Sequence, residues 1–301
     1  YDRVVIITND SLLAGIEQLV AQRADAGAIE ILSEPEGKNT APAVGLVLSR
    51  YFKEDNDQIL GVFPADHHVL NTDSFISSIQ QANRAAELDR LATIGVSPHR
   101  PETGYGYIEK TKWEIGEIPG VFEVGSFCEK PDVNTAQTYL EGGQHMWNAG
   151  IYIGKGRVLM EEFEKYLPDV FYLISKGYDA YLDSYPELPN ISLDYGIAEK
   201  SDRMVVVPAD FGWCDLGSWN ALAEIHTCDQ DMNICNGPDI VAVDSKGCIV
   251  QQSEKSVVLF GVENLLLVET EDIIFVSDRK NAQDIRTLID QLNLKERYDL
   301  L

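Results

Sequence analysis

The sequence predicts an α/β fold followed by a small β-rich unit, and two patterns along the chain indicate it. From residue 3 to about 207, short β-branched runs alternate with amphipathic helical segments, which is typical of a doubly wound parallel sheet. From Asn236 onward, short apolar strands follow one another at a spacing of roughly eight residues, which favours a compact β unit or a few solenoid turns. We therefore expect two domains, over residues 1–229 and 230–301.

The strands predicted for the first domain are short, rich in branched apolar residues and bounded by polar or glycine-containing turns. They cover residues 3–8, 28–33, 58–63, 91–96, 121–129, 147–153 and 203–207. Helices are expected between them, because residues able to cap a helix follow several strands. The predicted helices are 9–23, 43–52, one beginning at Thr72 or Asp73, 132–142, 157–182 with an interruption near Pro168, one beginning at Ser192, and one ending at Ile225.

The second domain is predicted to hold short strands and a closing helix. The strands cover residues 240–243, 248–251, 257–259, 265–268 and 273–276, and apolar residues at helical spacing indicate a helix over 281–292. This domain carries no motif of its own, so a structural or oligomeric role is expected for it.

The charge and cysteine content exclude several classes of protein. The chain has 49 acidic and 24 basic residues, a formal net charge of −25, whereas nonspecific nucleic-acid binding needs a basic surface. Its five cysteines include no Cys-x-x-Cys pair, which predicts neither a zinc site nor a disulfide framework but reduced thiols in a cytoplasmic protein. No stretch is apolar over the ~20 residues that span a bilayer, so no membrane partner is expected.

Two isolated carboxylates are candidate metal ligands. Asp66 follows the strand 58–63, at a position where open α/β sheets bind ligands, and Asp215 lies in a turn rich in glycine and tryptophan. Two carboxylates from distant segments can share one Mg²⁺, which prefers oxygen ligands and keeps waters or phosphates for the rest. Each Asp also has an ordinary alternative, since Asp66 can cap a helix or close a turn and Asp215 can cap the helix that follows it.

Three further segments could face a ligand. The polar turn 34–43 opens a helix whose free N–H groups could hold a phosphate or a base, although an ordinary capped connection is the simpler interpretation. Gly104 and Gly106 allow backbone to approach a ligand closely, or they form a β-bulge. Asn148 lies among small and apolar residues, where its amide needs either a ligand hydroxyl or a neighbouring backbone group.

Seven short motifs occur in a fixed order over most of the chain. They are Glu34-Pro35 with Lys38-Asn39-Thr40-Ala41-Pro42-Ala43, Pro64-Ala65-Asp66-His67, Thr103-Gly104-Tyr105-Gly106-Tyr107-Ile108, Glu129-Lys130-Pro131, Trp147-Asn148-Ala149-Gly150, Ser192-Leu193-Asp194-Tyr195 and Trp213-Cys214-Asp215-Leu216-Gly217-Ser218-Trp219. Each is unspecific alone, but in this order they resemble the sugar nucleotidyltransferases. The Asn-Thr-Ala-Pro-Ala stretch favours the guanylyl branch, which acts on mannose 1-phosphate, over the uridylyl and thymidylyl branches.

The resemblance implies a Rossmann-like mixed sheet, a small C-terminal β domain with β-helix-like turns, a terminal helix and a homodimer. It also implies a reaction, in which mannose 1-phosphate and GTP give GDP-mannose and pyrophosphate with Mg²⁺ as cofactor. Asp194 is expected only to support the site, and His67 and His68 to pack or to form hydrogen bonds.

The residue roles that the resemblance implies fall into three groups. The catalytic residues are Asp66, Lys130 and Asp215, of which Asp66 and Asp215 hold the metal. The residues that bind the sugar phosphate are Gly106, Glu129, Lys130 and Asn148. Those that bind the nucleotide are Asn39, Thr40, Ala65 and Asp66.

One departure from the family is large. Its members open with a glycine-rich loop carrying an Arg, followed by a Pro-Lys motif, and this chain begins at what resembles the second strand. We therefore expect an incomplete record of a longer protein. Three alternatives stay open: another nucleotide-sugar pyrophosphorylase of the glucose 1-phosphate type, a non-catalytic subunit of the same fold, and a metal-dependent glycosyltransferase. The last would use an Asp-x-Asp pair after a strand, whereas Asp55-Asn56-Asp57 precedes its strand.

Overall fold

The structure is a computed structural model that describes residues 3–51, 57–116, 118–217, 219–221, 226–282 and 285–300. The end of the predicted helix 43–52, most of the predicted helix ending at Ile225, and the pair Asp55 and Asn56 lie outside the described residues. The chain divides into two compact units. The N-terminal unit comprises Tyr1–Pro64 and Thr72–Phe211, and the C-terminal unit comprises Ala65–Asn71 and Gly212–Leu301. The domain boundary at residues 229 and 230 stays a prediction.

The described strands follow the predicted order closely. They are β1 Val4–Asn9, β2 Ile29–Glu34, β3 Ile59–Val62, β4 His68–Val69, β5 Leu91–Val96, β6 Tyr107–Glu114, β7 Phe122–Cys128, β8 His145–Lys155, β9 Met204–Ala209, β10 Trp213–Cys214, β11 Ile234–Asn236, β12 Ile240–Val243, β13 Ile249–Gln251, β14 Val257–Phe260, β15 Leu265–Glu269 and β16 Ile274–Asp278. The described α-helices are α1 Asp10–Ala21, α2 Thr40–Tyr51, α3 Thr72–Glu87, α4 Val133–Gly142, α5 Gly156–Tyr166, α6 Pro168–Ser175, α7 Tyr178–Asp183 and α8 Ile285–Leu294.

A mixed sheet forms the centre of the N-terminal unit. Within the described part of the chain it has six strands in the order β3-β8-β5-β9-β7-β6, and β1 and β2 form a separate parallel pair. The strand–helix alternation predicted a parallel sheet, and this was wrong, because only β5 and β9 are parallel neighbours in the six-stranded sheet. The mixed sheet that the resemblance implied is confirmed.

The parallel pattern ends where a hairpin interrupts the alternation of strands and helices. β6 and β7 pair antiparallel, so the chain leaves this hairpin in the opposite direction and β8 returns antiparallel to both β3 and β5. The pairing of β5 with β8 shifts between Thr93 and Gly95, and Gly150 has a φ of +67° there. Such a bulge bends a strand locally and redirects its side chains, and it lies beside Asn148.

The core of the N-terminal unit is apolar. Its largest cluster joins α2, α5, α6 and α7, and its fully buried side chains include Leu46, Phe163, Tyr181 and Tyr185. α2 packs closely, because a Cβ on Gly45 would lie 2.2 Å from the Tyr181 hydroxyl oxygen. A buried aromatic cluster therefore fixes α2, at whose start the predicted nucleotide-binding loop ends.

The C-terminal unit contains β-helix-like turns, as the sequence and the resemblance predicted. β11, β13 and β15 stack in parallel, with Ile234 opposite Ile249 and Ile249 opposite Leu266, and β12 pairs in parallel with β14. β16 closes the first of these sheets antiparallel. The stacked strands bury a small core of Ile234, Ile249, Leu266, Val268 and Ala282.

The described helices contain no candidate membrane span. None of them combines the length and the apolar character that a bilayer crossing requires.

Candidate active site

The hairpin of β6 and β7 brings Gly106 and Glu129 together. Tyr107 lies opposite Cys128 in the register, so Gly106, just before β6, faces Glu129, just after β7. A Cβ on Gly106 would lie 2.4 Å from the Glu129 Oε2 atom, which is closer than a Cβ atom normally comes to any non-bonded atom. Glycine is therefore required at position 106 for Glu129 to occupy this place.

Lys130 is held beside Glu129 by an unusual backbone conformation. Its φ is +48°, a left-handed conformation that disfavours a residue with a Cβ, and its N–H donates to the Tyr105 carbonyl oxygen at 3.2 Å. The Lys130 Nζ donates to the Glu129 Oε1 at 2.6 Å. The Glu129 side chain is only 8% exposed and that of Lys130 is 56% exposed, so the ammonium group faces solvent.

The charges around this pair are mostly negative. Burial raises the pKa of Glu129, and the hydrogen bond from Lys130 opposes this, while the carboxylates of Asp194 and Glu199 raise the pKa further. Burial lowers the pKa of Lys130, but the hydrogen bond and charge of Glu129, with the charges of Tyr195 and Asp194, raise it, and the net shift is upward. Glu199 is also tied to the pair directly, since its Oε1 accepts the Glu129 backbone N–H at 3.0 Å.

Asn148 belongs to a buried hydrogen-bond network. Its Oδ1 accepts from the Thr93 hydroxyl at 2.8 Å, and its Nδ2 donates to the Tyr152 hydroxyl at 3.0 Å and to the Asp194 Oδ1 at 2.9 Å. Its backbone N–H donates to the Gly106 carbonyl oxygen at 2.8 Å. Asn148 therefore links the Gly106–Glu129 contact to Asp194.

Asp194 begins a π-helical turn and receives a second hydrogen bond. The turn covers Asp194–Ala198, and π-helical turns are common at functional sites. The Tyr152 hydroxyl donates to the Asp194 Oδ1 at 2.5 Å. Burial, followed by the charge and the hydrogen bond of Asp194, raises the pKa of Tyr152 well above its ordinary value, so Tyr152 is a neutral donor.

The predicted nucleotide-binding loop leads into α2. Asn39 has a φ of +71°, and its Oδ1 accepts the Thr40 N–H at 2.9 Å. The Thr40 hydroxyl oxygen accepts the Leu193 N–H at 2.7 Å, and the Ala41 N–H donates to the Ile191 carbonyl oxygen at 3.2 Å. The loop is therefore anchored to the segment that ends at Asp194.

The two predicted metal ligands both belong to the C-terminal unit, on a short ribbon. β4 pairs antiparallel with β10, with Cys214 opposite His68. Continuing this register by one pair places Asp215 opposite His67, the residue that follows Asp66 in the chain. Asp66 is exposed and Asp215 is half-buried, and the Asp215 Oδ1 accepts the Gly217 N–H at 3.0 Å. Asp215 thus closes a turn, and it lies at the same end of the ribbon as Asp66.

His67 fixes this end of the ribbon. The Trp213 indole N–H donates to the His67 Nδ1 at 3.0 Å, which assigns the imidazole proton to Nε2 in the neutral ring. Burial lowers the pKa of His67, and the charges of both Asp66 and Asp215 oppose that shift. His67 therefore has the hydrogen-bonding role that the sequence predicted, and its imidazole is within electrostatic range of both carboxylates.

The donor set at this end of the ribbon fits Mg²⁺. It offers carboxylate oxygens from Asp66 and Asp215, which Mg²⁺ prefers, and leaves its other positions to waters or phosphates. Among the described residues, no group of three or more His, Cys, Asp and Glu side chains could hold a metal ion. The other ligands of a metal bound here would be waters or phosphate oxygens.

The structure thus brings the predicted sugar-phosphate residues into one cluster and the predicted metal ligands to one ribbon end. The sequence did not predict Thr93, Tyr152 or Glu199 in the cluster. Thr93 and Tyr152 look like ordinary strand residues in the sequence, and their hydrogen bonds to Asn148 depend on how β5 and β8 pair beside the bulge. Glu199 is one of 49 acidic residues, and nothing in its sequence neighbourhood distinguishes it. The functional roles of all these residues stay predictions.

The comparison with family patterns identifies the chain. The pattern of the nucleotidyl transferase family matches residues 1–232. The chain belongs to the nucleotidyl transferase family. A second pattern, that of the MannoseP isomerase/GMP-like beta-helix domain, matches residues 238–292 of this nucleotidyl transferase, in agreement with its stacked parallel strands.

Several named proteins are similar to this nucleotidyl transferase. It is 34% identical over 306 residues to a putative mannose-1-phosphate guanylyltransferase of Vibrio cholerae serotype O1, covering 98% of this chain and 64% of the relative. It is 34% identical over 282 residues to the mannose-1-phosphate guanylyltransferase of Escherichia coli K12, covering 89% of this chain and 59% of the relative. The nucleotidyl transferase chain therefore spans less than two thirds of these curated relatives.

A solved structure has the same fold. The crystal structure of a mannose-1-phosphate geranyltransferase from Thermus thermophilus is 30% identical, has a TM-score of 0.87 and matches 97% of this nucleotidyl transferase and 84% of that chain.

Proposed function

We propose that the protein transfers GMP from GTP to mannose 1-phosphate, giving GDP-mannose and pyrophosphate. The observation that supports this most is the similarity to relatives named mannose-1-phosphate guanylyltransferase, which extends over 98% of the chain in one case. The residues that the proposal needs are present, as a Glu–Lys pair beside a buried Asn in the N-terminal unit and as two Asp on a ribbon of the C-terminal unit.

The reaction is a single in-line displacement. An oxygen of mannose 1-phosphate attacks the α-phosphorus of GTP, a new P–O bond forms, and the bond from the α-phosphorus to the bridging oxygen of pyrophosphate breaks. The protein forms no covalent intermediate, so its contribution is to hold the two substrates in line and to stabilise the negative charge.

The Glu–Lys pair suits the sugar phosphate. Lys130 has an exposed ammonium group, which neutralises the phosphate. Glu129 accepts hydrogen bonds from sugar hydroxyls, because a carboxylate is an acceptor only. Gly106 lets the sugar approach the backbone closely, and its N–H is the proposed donor. Asn148 belongs to the same subsite through its contacts with Gly106 and Asp194.

The nucleotide and metal residues complete the proposal. Asn39 and Thr40 at the start of α2, together with Ala65 and Asp66, are the proposed nucleotide-binding residues. Asp66 and Asp215 would hold Mg²⁺, which when bound neutralises phosphate oxygens that this acidic chain could not otherwise accept. Their own contribution is to supply carboxylate oxygens from one ribbon end, kept in place by the Trp213–His67 hydrogen bond.

Pyrophosphate release tests the proposed function. The full-length protein, incubated with GTP, mannose 1-phosphate and Mg²⁺, is expected to release pyrophosphate. The rate of release by Asp66→Ala is expected to be at least about 100-fold lower, which is the usual cost of removing one group that stabilises charge in a transition state. Wild-type release no greater than that of Asp66→Ala would sink the proposal. UTP, dTTP and glucose 1-phosphate, offered in turn, test the guanylyl and mannose preferences, and the glucose substrate tests the alternative pyrophosphorylase directly.

Two further features are part of the proposal. We propose a homodimer, to be measured by light scattering on the purified protein, where a monomer mass would contradict it. The cytoplasmic location that the sequence predicted likewise stays a proposal, to be tested by fractionation of cells.

A further inference from the structure

Asp194 is a carboxylate with one oxygen fully occupied. Its Oδ1 accepts from the Asn148 amide at 2.9 Å and from the Tyr152 hydroxyl at 2.5 Å. The Tyr152 side chain is 2% exposed and Asn148 is 7% exposed, so both donors are buried. These two donors hold the Asp194 carboxylate in one orientation.

The other oxygen of Asp194 has no such partner. Among the described residues, the Asp194 Oδ2 makes no hydrogen bond, and it is not one of the buried polar atoms that lack a partner, so it is accessible to solvent. A carboxylate oxygen has room for about two hydrogen bonds. Oδ2 is therefore a fixed acceptor that faces outward.

Asn148 has no donor left for a ligand. Both N–H groups of its amide are used, on Tyr152 and Asp194, and its Oδ1 accepts from Thr93 at 2.8 Å. Its amide thus orients Asp194 and is itself oriented by Thr93. Asn148 therefore holds Asp194 in position, and Asp194 is the residue with an acceptor that faces outward.

The charge around Asp194 indicates the kind of ligand. Asp194 and Glu199 both act on the Glu129 carboxylate, and Lys130 is the cation paired with Glu129. Three acceptor-only carboxylates beside one ammonium group repel a second phosphate and favour neutral donors. A ring that carries several hydroxyl groups and a single phosphate matches this arrangement.

We infer that Asp194 binds a hydroxyl of the hexose through its Oδ2, and that Asn148 and Tyr152 are positioning residues that hold it for this contact. The inference rests on the proposed function, because it names a residue of the same sugar subsite. The energetic reason is pre-organisation: a carboxylate already held by two buried donors loses little freedom when a hydroxyl binds, and a hydrogen bond to a charged acceptor is stronger than a neutral one.

Replacement by asparagine removes the outward acceptor selectively. In Asp194→Asn, the amide oxygen is expected to take the place of Oδ1, because two donors point there, so that an NH₂ group replaces Oδ2. The kcat/KM for mannose 1-phosphate is then expected to fall about 10- to 100-fold, the range for a hydrogen bond to a charged group, while the KM for GTP stays the same. Asp202→Asn, at a carboxylate that is 89% exposed, is the matched control and is expected to match wild type.

Deoxy sugars identify the contact itself. Mannose 1-phosphates that lack one hydroxyl at C2, C3, C4 or C6 are compared on wild type and Asp194→Asn. For one analogue, the kcat/KM of the wild-type enzyme is expected to be about 10- to 100-fold lower than for mannose 1-phosphate, whereas the kcat/KM of Asp194→Asn is expected to be the same for both. For each of the other analogues, the kcat/KM is expected to fall by the same factor in wild type and in Asp194→Asn. The inference would be overturned if removing any one hydroxyl lowered the kcat/KM by the same factor in wild type and in Asp194→Asn. It would also be overturned if Asp194→Asn had the kcat/KM of wild type.

Tyr152→Phe tests the positioning role without touching the carboxylate. It removes one buried donor to Asp194 and keeps the ring. The KM for mannose 1-phosphate is expected to rise severalfold, while the KM for GTP stays the same. With the deoxy analogue that lacks the hydroxyl bound by Asp194, the rise in KM caused by Tyr152→Phe is expected to be smaller. A purely structural role would lower the melting temperature without any dependence on a single hydroxyl, and that result would overturn the positioning role.

A binding measurement separates this inference from the proposed function. Absence of nucleotidyl transfer by wild type with every nucleotide would refute the proposed function. Titration calorimetry with mannose 1-phosphate alone then decides on Asp194. Binding by wild type and about 10-fold weaker binding by Asp194→Asn supports the inference, while equal binding by both, or none by wild type, overturns it.

Discussion

Glu129 carries its charge against its surroundings. Burial raises the pKa of its carboxyl above the ordinary value of 4.5, the Lys130 hydrogen bond offsets only part of this, and Asp194 and Glu199 raise the pKa further. Because the folded chain holds the proton of Glu129 more tightly than the unfolded chain, ionisation of this group destabilises the fold at neutral pH. A buried carboxyl whose ionisation costs stability is typical of a site selected for binding rather than stability.

Glu129→Gln is therefore expected to stabilise the protein while weakening sugar binding. The difference in melting temperature, variant minus wild type, should be positive at pH 7 to 8. It should shrink as the pH falls through the raised pKa of Glu129, because the wild-type carboxyl then becomes neutral as well. Thermal unfolding of both proteins, measured from pH 8 down to the pH at which Glu129 is protonated, gives this difference in melting temperature. Glu123→Gln, at an exposed position on β7, the strand that Glu129 follows, is the control. A Glu129→Gln variant less stable than wild type at pH 8 would contradict the expectation.

Gly106 determines where the Glu129 carboxylate can lie. In Gly106→Ala, the new Cβ would lie 2.4 Å from the Glu129 Oε2 and 3.3 Å from the Phe127 ring, so the carboxylate must move. We expect the KM for mannose 1-phosphate to rise about 10-fold, the cost of losing one hydrogen bond to a charged group. Steady-state kinetics measure it.

Gly142→Ala is the matched control for Gly106→Ala. Nothing lies within 4 Å of a Cβ added at Gly142, and the residue ends α4, where Ala is favoured over Gly. Its KM for mannose 1-phosphate is expected to equal that of wild type. Equal KM values for Gly106→Ala and Gly142→Ala would show that the approach of Gly106 to Glu129 does not matter for the sugar.

Among the elements, the loop before α2 and the segment before the π-helical turn depend on each other. Lys38 donates through its Nζ to the Pro186 carbonyl oxygen at 2.6 Å, and the Ile191 N–H donates to the Lys38 carbonyl oxygen at 3.3 Å. The Thr40 hydroxyl oxygen accepts the Leu193 N–H at 2.7 Å. The start of α2 and the start of the Asp194 turn are thus fixed by the same hydrogen bonds.

Thr40→Val tests this dependence. Valine has nearly the same shape but leaves the Leu193 N–H without its acceptor, which should lower the free energy of unfolding by about 1 to 3 kcal/mol. We expect the KM values for both GTP and mannose 1-phosphate to rise, because both segments lose their common anchor. Urea unfolding and steady-state kinetics measure the two effects. Thr40→Ser retains the hydroxyl and should behave almost as wild type, and a Thr40→Val variant that matches Thr40→Ser would rule out the anchor.

For the molecule as a whole, the dominant property is its charge. A formal net charge of −25 destabilises a compact state through self-repulsion, and salt screens that repulsion. Because of the same excess of acid, we expect the proposed phosphate substrates to need a metal and local basic groups such as Lys130.

Salt is therefore expected to stabilise the protein. Raising NaCl from about 10 mM to about 200 mM at pH 7.5 shortens the screening length roughly fourfold, and the melting temperature should rise by a few degrees. The same salt series close to pH 4.4, the isoelectric point of the sequence, is the control, since little net charge remains to be screened there. A melting temperature that falls with salt at pH 7.5 would show that ion pairs outweigh the net repulsion.

Local patterns in the sequence were enough to predict most strands and helices, whereas the mixed sheet and the roles of the candidate residues were predicted from the order of the seven motifs. The period of apolar residues and the capping residues are local properties, so β1, β5, β9, α3 and the stacked strands after Asn236 could be predicted from them. The strand directions in the mixed sheet could not be predicted in this way, because they depend on the hairpin of β6 and β7 and on which strands β8 pairs with.

What the sequence by itself determined is therefore the set of chemical groups: the acids Asp66, Asp215 and Glu129, the ammonium group of Lys130, and the glycine at 106. What only the tertiary structure decided is which of these groups are used inside the protein and which face outward. The β8 bulge lies between Asn148 and Tyr152, which both donate to the Asp194 Oδ1, and Thr93 on β5 donates to the Asn148 Oδ1. The physical reason is that hydrogen bonds between distant strands depend on register and bulges, which no local pattern records.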